Sequence, residues 1–229
     1  MKKLISISVL LTILATLSGC GDKTGSASNT AKPTVQQPTA TEEVIAVENS
    51  DDEQETTVRE RKIVSSEAYE YEIFEGAAII TKYKGGQTEV TVPDKIEGAP
   101  VEEIGFYAFE AQPVTSVTLP ESVKVIGEGA FIDCASLVSI NLPQALTTVE
   151  KGAFAGCSAL VEITVPSEVK EIKRGAFASC ESMKSLVIQS MDLSYDEWGI
   201  EDLPGLTVYA PEGSAAAEWA GAMGKYSVN

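Results

Sequence analysis

A chain of 229 residues with 34 acidic against 17 basic side chains carries a formal net charge of −17, so it is a poor partner for nucleic acid, which is held by Lys and Arg on phosphates. The same charge is repelled by anionic lipid head groups, and the acidity serves solubility. Histidine is absent, which excludes Ser–His and Cys–His nucleophile pairs.

Residues 1–19 read as a leader, with Lys2 and Lys3 as a positive n-region and 4–14 as an apolar h-region. It is short for a spanning helix, which needs about 20 apolar residues. Its end, Leu17-Ser18-Gly19-Cys20, resembles the lipobox of bacterial lipoproteins. That resemblance implies cleavage before Cys20 and lipidation of its thiol; an ordinary secretory signal beside a chance cysteine is the alternative. Two or more acyl chains anchor stably, since each buried methylene adds about 0.8 kcal/mol. Residues 20–65 are rich in Thr, Ser, Gln, Pro and acidic side chains without apolar periodicity, and read as a disordered stalk. A flexible stalk of about 45 residues reaches on the order of 35–40 Å. Within it, Asp51-Asp52-Glu53 lacks the alternating oxygen ligands and central glycine of a calcium loop.

Order is expected from residue 66. Two β-rich runs, 71–74 and 77–83, flank the turn signal Glu75-Gly76 and form a hairpin cap. Cap and first rung together occupy 66–100. Repeats then fill 101–189, and the strand segments of the successive coils, from the first rung to the last, are 88–93, 114–120, 137–143, 160–166 and 183–189 with a sixth frame at 203–208. The step from Pro120 to Pro143 to Pro166 to Gln189 is 23 residues each time. Gly129-Ala130-Phe131, Gly152-Ala153-Phe154 and Gly175-Ala176-Phe177 return at the same step, each with a cysteine three residues on. Such a period marks one coil of a solenoid, in which near-identical units stack and each touches only its neighbours.

Within a coil, Leu137, Ile140 and Leu142 point inward and Pro143, lacking an N–H, ends the strand. Leu146 and Val149 make a second inward stretch before the Gly-Ala-Phe turn drives a ring into the core. With coils about 4.8 Å apart, Phe109, Phe131, Phe154 and Phe177 should form a column of offset rings. Tyr107 stands where later coils have glycine, so a positive φ there reads as allowed and not required. Cys134, Cys157 and Cys180 recur at the repeat period and read as buried core thiols; a three-thiol metal site is the alternative. Residues 190–229 hold an irregular insertion, the last rung and a helical cap, with Ser214 as N-cap of an alanine-rich run.

The pattern Leu-x-x-Ile-x-Leu-Pro-x-x-Leu-x-x-Ile/Val-x-x-Gly-Ala-Phe-x-x-Cys resembles the BspA-like, bacterial surface-antigen class of leucine-rich repeats. The likeness spans about 89–220 and departs from the pattern at Tyr107 and Gln189. It implies a right-handed, mainly-β to α/β solenoid, here of five to six rungs with parallel strands, a β-hairpin cap and a helical cap. It also implies surface display and adhesion, with no catalytic residues and no cofactor.

Function is therefore expected on the solvent side of the strands. The candidate contact residues are Ser116 and Thr118, Ser139 and Asn141, Glu162 and Thr164, and Ser185 and Val187. They are small and polar, without the aromatic anchors that dominate tight interfaces, and each alone is equally a solvated strand position. As such, Asn141→Ala is expected to change stability by no more than about 0.5 kcal/mol. The expected partners are a membrane, through the lipid on Cys20, and an extracellular protein or glycan; nucleic acid is not expected. The alternative is a structural envelope protein without a dedicated ligand. Either reading places the chain outside the cytoplasm, on the outer face of the cytoplasmic membrane or on the outer membrane.

Overall fold

A computed structural model describes residues 43–46, 60–193, 195–201 and 203–228. The leader and Cys20 lie outside them. The N-terminal cap is an antiparallel run of β1 (Glu43–Ala46), β2 (Glu60–Ser65), β3 (Tyr69–Phe74) and β4 (Ala77–Tyr83). The β3–β4 hairpin turns at Glu75 and Gly76, with φ of 51° and 81°, the paired left-handed geometry that suits a two-residue hairpin loop. Ordered structure thus begins earlier than expected, because β1 and β2 fall inside the 20–65 segment read as a stalk. Antiparallel pairing to β3 gives β2 what composition could not show, a partner strand.

Each coil then has three sides. The first sides are β5 (Glu89–Thr91), β8 (Ser116–Thr118), β10 (Ser139–Ile140), β12 (Glu162–Val165), β14 (Ser185–Ile188) and β15 (Thr207–Ala210). The second sides are β7 (Ala99–Ile104), β9 (Val125–Ile126), β11 (Thr148–Val149) and β13 (Glu171–Ile172), which continue the cap sheet in parallel from β4. A two-residue strand, β6 (Lys95–Ile96), folds back on β7. The third side is the Gly-Ala-Phe turn. Its peptides are bonded from coil to coil: the N–H of Tyr83, Phe109, Phe131, Phe154 and Phe177 donates to Ala108, Ala130, Ala153, Ala176 and Trp198 of the next coil at 2.7–2.9 Å.

The inward frame is as expected. Leu137, Leu146, Val149 and all four phenylalanines are sealed from solvent. The rings stack at 4.9, 5.4 and 5.8 Å between centroids, from Phe109 to Phe177. Tyr83 of the cap begins the column, 4.9 Å from Phe109. Two expectations need correction. Positive φ is adopted in every coil, at Tyr107 (53°), Gly129 (60°), Gly152 (62°) and Gly175 (68°), so Tyr107 bears a conformation that glycine takes without strain. A second left-handed column also runs through Ala111, Asp133, Gly156 and Ser179. The sixth strand pairs two residues later than the frame at 203–208 implies: Val208 stands opposite Leu186, and Ala210 is inward and buried.

At the far end, the insertion buries Trp198, whose indole N–H donates to the Ile172 carbonyl at 2.8 Å. Ser214 caps α1 (Ala215–Ala222) through its hydroxyl, which accepts from the Ala217 amide. Trp219 of α1 packs 5.0 Å from Trp198 and 4.7 Å from Tyr195. A final strand, β16 (Tyr226–Val228), pairs in parallel with β15 and closes the stack.

The strand face as candidate functional site

Alternation along the first-side strands fixes which residues meet solvent: Val117, Ile140, Ile163 and Leu186 turn inward, so their neighbours turn out. Register then aligns the outward residues into rows. Glu89, Ser116 and Ser139 lie in one row, and Thr91 stands opposite Thr118. Glu162, Ser185 and Thr207 form another row, beside Thr164, Val187, Tyr209 and Ser227. All eight expected residues are on this face. Thr118, Ser139, Asn141 and Glu162 are exposed, and Ser116, Thr164, Ser185 and Val187 half-buried. The structure adds Glu89 and Thr91 at one end and Thr207 and Tyr209 at the other, residues the motif frame did not assign to the face. Tyr209, half-buried, supplies an aromatic side chain there.

Asn141 is not the idle surface position expected of it. Its side-chain oxygen accepts from the Leu119 N–H at 2.7 Å, and its amide nitrogen donates to the Leu119 carbonyl at 3.1 Å. The amide therefore takes the place of a ladder rung beyond the end of the two-residue strand β10. No repeat frame distinguishes such an amide from a solvated one, because the outward position is the same in both cases. Ser139 and Ser116 are also linked, hydroxyl to hydroxyl, at 3.3 Å.

Two shallow depressions mark the face. One, of about 360 Å³, is lined by Ser116–Thr118 and Ser139–Asn141. The other, of about 380 Å³, is lined by Val138–Leu142 and Val161–Thr164. Val138 and Val161, 49% and 44% exposed, take the row held by Thr115 and Lys184 in the flanking coils. The charge on the molecule is more evident on the second sides, where Lys124 pairs with Glu102 at 2.8 Å and Lys173 with Glu150 at 2.7 Å. Glu103 there has its carboxyl pushed above the ordinary range, first by burial and then by Glu150 and Glu72.

The three core thiols are reduced and buried. Each donates to a phenylalanine carbonyl of the preceding coil: Cys134 to Phe109, Cys157 to Phe131 and Cys180 to Phe154, at 3.0–3.2 Å. Burial raises all three thiols, Cys134 to about 11 and Cys180 to about 12, far from the electropositive settings that make a thiolate. Among the described residues no group of His, Cys, Asp and Glu is placed to hold a metal ion.

Stacked parallel strands, inward leucine-type positions and a cap at each end define a leucine-rich-repeat solenoid. The model of the BspA type leucine rich repeat region matches residues 87–197 in six copies. The chain is similar to the leucine rich repeat protein of T. pallidum: 30% identity over 64% of this chain and 71% of that one, with a TM-score of 0.60. It is also similar to a leucine-rich repeat protein from Bacteroides capillosus ATCC 29799, at 34% identity over 55% of this chain and 97% of that one, TM-score 0.51. No curated protein matches it. The chain belongs to the BspA-type leucine-rich-repeat family.

Proposed function

We propose that the chain is a lipid-anchored binding module, displayed outside the cytoplasm, that engages an extracellular protein or glycan through its strand face. The observation that carries this reading is the run of outward side chains from Glu89 to Thr207, mostly small and polar, which the two first-side sheets align in rows on one side of the coils. A face of serine and threonine without a dominating anchor binds weakly at each contact and gains from many copies on one surface. The lipobox-like Leu17-Ser18-Gly19-Cys20 supports the anchor, and among the described residues no helix is long and apolar enough to cross a membrane.

The test is solid-phase binding of the chain to matrix proteins, glycans and bacterial envelope fractions. Saturable capture that is lost in Ser139→Arg or Glu162→Arg, and kept in Glu168→Arg outside the face, supports the reading. Absence of any saturable capture sinks it in favour of an envelope protein without a dedicated ligand. For the anchor, Cys20→Ser should move the chain out of the membrane fraction; a variant that stays there unchanged refutes lipidation.

A further inference from the structure

We propose that the solenoid is two half-stacks hinged between the third coil (137–159) and the fourth (160–182), and that it opens there on the strand face. This inference does not depend on the contact-face reading. The first-side strands form two separate sheets, β5–β8–β10 and β12–β14–β15–β16. Among the described residues, the main chain of 138–142 makes no hydrogen bond to that of 160–165. Either side of this seam the ladder is intact: the Val138 amide bonds to Thr115 at 2.9 Å, and the Lys184 amide to Val161 at 2.8 Å.

Three further observations fall at the same junction. Ile140 and Leu142, on the seam, are each 8% exposed, whereas Val117 and Leu119 in the coil before are 2%. The phenylalanine column is widest here, 5.8 Å from Phe154 to Phe177 against 4.9 Å from Phe109 to Phe131. The larger depression lies on the seam, with Val138 and Val161 as its exposed rim.

The other two sides stay bonded and serve as the spine. Thr148 and Val149 pair with Glu171 and Ile172. Phe154 donates to Ala176, and the Cys180 thiol to Phe154. The Lys173–Glu150 ion pair also spans the junction on the second side. Among the junctions of the first four coils this is the one without a ladder on one of its three sides, and in a stack whose stability is a sum of neighbour terms such a junction is the first of them to part. Opening changes the angle between two facets of the strand face, one carrying Ser116 to Asn141 and the other Glu162 to Val187.

The test places a thiol at equivalent inward positions of the full chain, Leu142→Cys at the seam and Leu119→Cys one coil earlier, and follows modification by a soluble thiol reagent. The thiol at 142 is expected to react at least about tenfold faster in native buffer, with a rate rising only shallowly with urea, as a sub-global opening requires. Cys134, Cys157 and Cys180 stay unmodified and report that the fold is intact. Equal rates at 142 and 119, or reaction at 142 only with global unfolding, overturn the proposal. Should either variant fail to fold, amide hydrogen exchange on the unsubstituted chain decides: Val161 and Glu162 should exchange well ahead of Val138 and Lys184. Equal protection of the four amides overturns it as well.

Discussion

Removing the Asn141 amide separates a ladder-completing side chain from a solvated one. Asn141→Ala leaves the Leu119 N–H and C=O without their partners at 2.7 and 3.1 Å. The Leu119 side chain is buried, so its backbone is poorly placed to recruit water. An unsatisfied buried polar group costs about 1–3 kcal/mol. Because the Asn141 side is open to solvent, one of the two groups should rehydrate, which puts the total at about 1–3 kcal/mol. Urea melts of the full chain measure it, with an unchanged slope showing that only stability moved. Asn141→Leu restores volume but neither bond, so it should lose about as much as alanine. A loss under about 0.5 kcal/mol in alanine, or recovery in the leucine variant, would refute the reasoning.

Phe154→Ala should cost about 3–5 kcal/mol in the same melts, since the ring is sealed and stacked on both sides at 5.4 and 5.8 Å; a loss near 1 kcal/mol would mean the column is not a core. Cys134, Cys157 and Cys180 should resist a thiol reagent until the chain unfolds, and rapid labelling of the native protein would contradict the raised, carbonyl-bonded thiols. Glu103→Gln should stabilise the fold at neutral pH, because burial and the negative Glu150 and Glu72 penalise the ionised carboxyl. A raised carboxyl imposes its penalty above its folded pKa and is relieved as pH falls through it. The gain should therefore vanish toward the ordinary glutamate value of 4.5, and a gain that grows on acidification would show the sign to be wrong.

What the sequence made legible is whatever repeats. Phe131, Phe154 and Phe177 recur in register, and with them the inward frame, the thiol column and the strand face could be placed. The second sides were read only as inward stretches, because Val125–Ile126 and Thr148–Val149 are two-residue strands, too short to alternate. The left-handed column through Ala111, Asp133, Gly156 and Ser179 escaped because four different residues fill it. Asn141, and the seam between Val138 and Val161, depend on what lies across from them in the next coil, which no single repeat encodes. Trp198 is a singular residue in an irregular insertion; only its packing against Trp219 shows it as the lid of the core.

The coil-to-coil bonds of the turn side all run one way. The peptide joining Ala130 to Phe131 accepts from Phe109 and donates to Ala153, and its counterparts in the other coils repeat the arrangement. Peptide dipoles of about 3.5 D are thereby set head to tail along the solenoid axis, as they are in an α-helix. Chains of such bonds polarise one another. The positive pole lies at the last coil, where Asp196 and Glu197 are exposed; the negative pole lies at the cap, where Lys82 and Lys84 follow the turn into Tyr83 and beyond. A solenoid built almost wholly of strands and turns thus acquires, along its turn side, the head-to-tail polarity of a helix.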